Sequence, residues 1–84
     1  MSSMKTKIYE YTVIFEPNET GGYTITVPTL PGLISEGKDL ADAQVMAREA
    51  IRCHLESLAM DGQELPEEGE LAQMRLSVKI PAHA

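Results

Sequence analysis

TVPTLPGLISEG, residues 26–37, decides how this chain is built. Pro28, Pro31 and Gly32 fall inside one short apolar run. Each proline fixes its own φ and removes a backbone donor, and glycine allows a turn that other residues resist. Neither a helix nor a regular strand accepts that combination, so the stretch reads as a stiff corner. Before it, the hydrophobic pattern has period two. Soon after it, the period becomes helical.

Upstream, residues 8–16, IYEYTVIFE, read as a strand. Tyr9, Tyr11, Val13 and Phe15 share one face, and Ile8, Glu10, Thr12, Ile14 and Glu16 share the other. Residues 17–22, PNETGG, carry loop chemistry. Residues 23–28, YTITVP, resume the alternation, so the two runs predict an antiparallel hairpin. Past the corner, residues 33–35 read as a short third strand. Gly37 and Lys38 end it, and Asp39 is placed to cap a helix, with Asp42 in the first turn where the helix dipole favours negative charge.

The helix is expected from Leu40 to about Met60. Leu40, Ala43, Ala47, Ile51, His54 and Leu58 form an apolar stripe, widened by Met46, Ala50 and Leu55. Asp42, Glu49, Arg52 and Glu56 take the opposite side. Asp61 and Gly62 end the helix, with Gly62 at the C′ position. Residues 63–70, QELPEEGE, read as loop, and the Glu67-Glu68 pair as its solvated part. In the last stretch Met74, Leu76, Val78 and Ile80 alternate with Arg75, Ser77 and Lys79, which predicts a fourth strand stopped by Pro81.

These elements give a single small α+β domain in the order β-β-β-α-β, spanning residues 8–80. Residues 1–7 and 81–84 are expected to be tails. One helix covers one face of a sheet. The first strand has apolar residues on both faces, so the uncovered face is expected to meet a partner or a second copy.

With 84 residues the chain has room for one core, and association with another copy helps such small domains. Thirteen acidic residues against seven Lys and Arg leave a formal net charge of −6. That argues against nucleic-acid binding, which needs a basic patch to displace counterions, and suits a basic protein partner. Cys53 is the only cysteine, so no disulfide forms within the chain, and a reducing cytoplasm is expected. No apolar run is long enough to span a membrane.

No catalytic constellation stands out. His54 reads as a core histidine. Cys53 is its neighbour, but adjacent helical positions point about 100° apart, so the two do not make a nucleophile and base. Glu16 and Asp42 are the residues to test for a metal-dependent nuclease, yet no further acid lies in the second or third strand core. No Cys/His ligand spacing, phosphate loop or Ser/His/Asp arrangement is present. No catalytic residue, metal or cofactor is assigned.

The segment from Gly21 to Ile51 resembles the HicB family of antitoxins. Gly22, Tyr23, Pro28, Leu30, Pro31, Gly32, Ser35, Gly37, Ala43, Ala47, Glu49, Ala50 and Ile51 match that family's pattern of an aromatic strand, a P-x-LPG-x-x-S-x-G stretch and a helix rich in Glu and Ala. The likeness runs from about Tyr11 to Leu58. It implies a truncated ribonuclease H-like sheet with one helix, and a protein that performs no chemistry. It implies a HicA-like partner, a small basic ribonuclease toxin whose site the antitoxin covers, in a homodimer or tetramer.

On that reading the corner is a rigid exposed edge carrying Leu30 and Leu33; the alternative is that it only swings the chain from the second strand to the third and packs against the helix. Leu30, Leu33, Tyr9 and Tyr11 are the expected partner-binding residues, and Tyr23, Pro28, Pro31, Gly32 and Asp39 carry structural roles. Many HicB proteins continue into a DNA-binding domain. This chain stops after its fourth strand, so operator binding is expected to need another protein. An oligomeric HicB-like domain without a toxin is the alternative.

Overall fold

The structure, a computed structural model, describes residues 7–82. Three strands, β1 (Ile14–Pro17), β2 (Tyr23–Thr26) and β3 (Ile34–Gly37), precede one helix, α1 (Leu40–Met60). The sheet is antiparallel in the order β1-β2-β3. This is the α+β arrangement expected, with the strands shorter than the sequence pattern. The expected tails lie largely outside the described residues, which begin at Lys7 and stop at Ala82.

The β1–β2 loop closes on Asn18. Its side-chain Oδ1 accepts from the Thr20 amide at 3.1 Å, the Thr20 hydroxyl at 2.7 Å and the Gly22 amide at 3.1 Å. An asparagine that caps its own loop in this way fixes the hairpin register. Ile14 then pairs with Thr26 and Pro17 with Tyr23.

The corner is two consecutive β-turns sharing Leu30. The Leu30 amide donates to the Val27 carbonyl at 2.9 Å, across Pro28-Thr29. The Leu33 amide donates to the Leu30 carbonyl at 3.2 Å, across Pro31-Gly32. Gly32 has φ 91°. Proline followed by a positive-φ glycine is the signature of a type II turn. Each proline therefore sits where its fixed φ is wanted and its missing donor costs nothing.

These turns drive the apolar side chains inwards. Val27, Leu30 and Leu33 are buried and meet Tyr11, Val13, Ala50, Ile51 and Leu55. A second cluster joins Ile25 to Ala43 and Ala47, with Val13, Phe15 and Tyr23 around it. Alanines on α1 let helix and sheet approach closely. Gly37 takes this furthest: a Cβ there would lie 2.4 Å from the Ala43 Cα. The exposed edge expected at Leu30 and Leu33 is thus corrected, since only 1% and 8% of these residues is accessible.

α1 is closed at both ends. Asp39 Oδ1 accepts from the Asp42 amide at 2.7 Å, and Asp42 Oδ2 accepts from the Lys38 amide at 2.9 Å. Asp39 is the N-cap, and Asp42 reaches back past it to the amide of the preceding residue. At the other end the Gly62 amide donates to Ala59 and the Gln63 amide to Leu58, at 3.0 and 2.9 Å. That pair of bonds is a Schellman motif. The expected stripe is only partly covered: Leu40 and Met46 are exposed, and His54 is half-buried.

Two strand expectations fail, each for want of a partner. Residues 8–13 form no ladder among the described residues. Their antiparallel partners would follow Thr26, and there the chain leaves the sheet at Pro28. The fourth strand expected through Ile80 is not formed either. Residues 63–82 have no regular structure, and 69–82 are exposed throughout. Met74, Leu76, Val78 and Ile80 are 72–81% accessible, and each forgoes about 1.5–3 kcal/mol that burial would supply. This arm stretches the molecule to 73 × 29 × 21 Å. The radius of gyration is 17.3 Å, against about 12 Å for a compact chain of this length.

Candidate partner-binding surfaces

α1 packs chiefly on β3 and β2. Its flank over β1 is therefore open, and a cleft of about 760 Å³ lies between them. Tyr11, Val13 and Phe15 form one wall, and Ala47, Ile51 and Leu55 form the other. The floor is apolar and continuous with the core, while Glu10, Arg48 and Arg52 stand at the cleft as charged groups. Arg52 is held on the helix surface by Glu49 and, at 3.8 Å, by Glu56.

Tyr9 and Tyr11, expected at a partner surface, line this cleft. Their rings stack at 6.5 Å between centroids with 6° between planes. The Lys7 ammonium lies 5.0 Å from the Tyr9 ring centre and pairs with Glu67, which holds its pKa above the usual lysine value. The Tyr11 hydroxyl donates to the Pro66 carbonyl. Burial pushes the Tyr11 phenol up, and nearby Tyr9, Glu67 and Glu68 push it further.

Glu68 is the residue that sequence reasoning placed wrongly. Its carboxylate accepts from the Thr12 amide at 2.8 and 3.0 Å, from the Thr12 hydroxyl at 2.6 Å and from the Thr29 hydroxyl at 2.8 Å. It fills the gap left where residues 8–13 outrun β2, and it ties the segment after α1 to the corner. The Thr12 hydroxyl and amide, then Thr29, hold its pKa below the usual carboxylate value. A solvated loop was expected here. The contacts span 56 and 39 residues, so no local pattern announces them.

The sheet face away from α1 is less apolar than the first strand suggested. Strand register puts Ile14, Thr26 and Ile34 in one row and Glu16, Thr24 and Glu36 in the next. Ile34 is 70% accessible, and Glu16 and Glu36 are exposed. The face combines an isoleucine row with a carboxylate at each edge strand. Among the described residues no three His, Cys, Asp or Glu side chains gather to hold a metal ion, and no helix is long and apolar enough to cross a membrane.

Residues 11–80 match the family described as the HicB-like antitoxin of bacterial toxin-antitoxin systems. The chain belongs to the HicB-like antitoxin family. The match takes in the corner, α1, the Glu68 contacts and the exposed arm. Among curated proteins, UPF0150 protein Ta0767 of Thermoplasma acidophilum is 40% identical over 57 residues, 68% of this chain and 83% of its own. UPF0150 protein ssr1765 of Synechocystis is 37% identical over 74 residues, 88% of this chain and 92% of its own. Antitoxin HicB 1 of Photorhabdus laumondii is 30% identical over 74 residues, 88% of this chain but only 48% of its own.

Proposed function

We propose that this HicB-like protein neutralises a toxin by binding it, without catalysis of its own. The toxin is a HicA-like basic ribonuclease, met in the cytoplasm, and the β3 side of the open sheet face is its docking surface. The observation that carries this reading is the exposed row at that edge in a chain of an antitoxin family. Ile34 supplies an apolar anchor, and Glu36, one register row away, supplies charge of the sign a basic protein seeks. Opposite potentials speed and select such encounters, and a central apolar side chain inside a polar rim is how compact interfaces are built. No DNA contact is assigned to this chain, whose net charge is −6.

The test is RNA cleavage by the purified toxin in the presence of this protein. Equimolar wild-type protein is expected to abolish cleavage, and added salt to weaken the protection. Ile34→Asp and Glu36→Lys are expected to weaken inhibition without unfolding the chain, because both side chains are already in water. Undiminished cleavage with the antitoxin in excess would reject the reading.

A further inference from the structure

Among the described residues two surfaces lack a partner, and they match each other. Residues 74–80 have no regular structure, and Met74, Leu76, Val78 and Ile80, which alternate with Arg75, Ser77 and Lys79, are all in water. The cleft beside β1 is apolar and open. We propose that residues 74–80 of one copy lie in the cleft between β1 and α1 of a second copy, as a fourth strand on the outer edge of β1, and that the exchange is reciprocal.

Register and charge point to this occupant, and exposure of the arm in its own chain agrees. β1 is an edge strand, so one row of its backbone groups is free to pair. Phe15 of β1, and Val13 just before the strand, face the helix side. An added strand with Met74, Leu76, Val78 and Ile80 turned the same way extends that layer under α1. Arg75 and Lys79 then fall on the opposite face, the one that carries Glu16, where opposite charges on neighbouring strands attract. Residues 71–82 hold two of the seven Lys and Arg and none of the thirteen Asp and Glu, so they carry +2 against −8 for the remainder. A basic arm and an acidic body suit each other.

In this structure the arm does not fill its own cleft. Glu68 is held at Thr12 and Thr29, and every residue from 69 to 82 then stands off its own cleft in water. Reciprocal exchange closes a two-fold dimer in which both arms and both β1 edges are used at once. The proposal does not rest on the toxin reading, which concerns the β3 edge.

Cys53, exposed on α1 beside the cleft-lining Arg52 and Leu55, provides the probe. Copies carrying a nitroxide on Cys53 are co-refolded one-to-one with nitroxide-free copies labelled with nitrogen-15. The amide signals of residues 74–80 are expected to broaden in this mixture and to recover when ascorbate reduces the nitroxide. Sedimentation equilibrium is expected to give a dimer. Leu76→Asp combined with Val78→Asp is expected to raise its dissociation constant at least about a hundredfold while the helical circular dichroism persists. Sharp signals for residues 74–80 in the mixture would overturn the proposal. So would broadening seen only when one chain carries both labels, or a double variant that dimerises as tightly as the wild type.

Discussion

The proline corner and the arm are made of similar material: short apolar runs beside proline, with charged residues close by. The corner folds inwards and the arm stands in water. The corner carries its own hydrogen bonds, since two turns over Pro28-Thr29 and Pro31-Gly32 reverse the chain without help from any distant residue. Once reversed, Leu30 and Leu33 have only the core to enter. The arm has alternation and nothing else. A period of two says which residues share a face, but a strand needs a neighbour to complete its backbone bonds. Turn chemistry is local and alternation is a promise to a partner.

The largest expected effect sets a corner residue against an arm residue of the same kind. Leu30→Ala removes a side chain that is 1% accessible and is expected to cost about 2–5 kcal/mol in urea unfolding. Leu76→Ala, at a position 75% accessible, is expected to change the unfolding free energy of dilute protein by less than about 0.5 kcal/mol. At higher concentration it is expected to lower the melting temperature, because dimer exchange then contributes. Equal costs for both substitutions in dilute solution would erase the distinction between the two regions.

Next comes the contact that seats the corner on the helix. A methyl group at position 37 would meet the Ala43 backbone, which cannot swing aside as a flexible side chain does. Gly37→Ala is expected to cost about 1–3 kcal/mol. Gly32→Ala tests the turn itself. Its Cβ would meet nothing within 4 Å, so only the positive φ opposes it, at about 1–2 kcal/mol. Thermal melts of the two variants separate close packing from backbone strain. Asp39→Ala follows, at about 1 kcal/mol, through loss of the bond to the Asp42 amide.

How far the fold was legible follows the same division. Asp39, Asp42 and Gly62 announce both helix ends within a few residues, and the structure puts caps there. The loop before Tyr23 and the turn at Pro31-Gly32 are equally local. What was lost depends on distant pairing. The first half of the 8–16 run has no ladder because β2 ends at the corner, and nothing inside that run records where β2 stops. The corner was visible as a turn, but the direction in which Leu30 points depends on the helix beneath it. For the candidate surfaces, Tyr9 and Tyr11 were expected to meet a partner, and the structure places them along a cleft. The cleft itself arises because α1 leans over β3 and β2, a choice made by Gly37, Ala43 and Ala47 in packing.

The smallest effect concerns the joint between the two regions. Glu68 ends the tethered part of the chain, and the arm begins just beyond it. Its pKa is lower when folded than when unfolded, because the hydroxyl and amide of Thr12, and then Thr29, donate to the carboxylate. A depressed carboxylate contributes stability that is fully present above its unfolded value, about 4.3, and is lost as pH falls through the lower folded value. The protection of the Thr12 amide relative to its intrinsic exchange rate is therefore expected to be high at neutral pH and to fall once Glu68 is protonated, followed by nuclear magnetic resonance across that window. Glu68→Gln is expected to lower that protection at neutral pH and to remove its pH dependence, with almost no change in melting temperature because the carboxylate is near the surface. If the protection of the Thr12 amide instead ignored both pH and substitution, the tether would not be what holds the chain after α1 against the corner, and the arm's departure point would have to be set by the Tyr11–Pro66 and Lys7–Glu67 contacts.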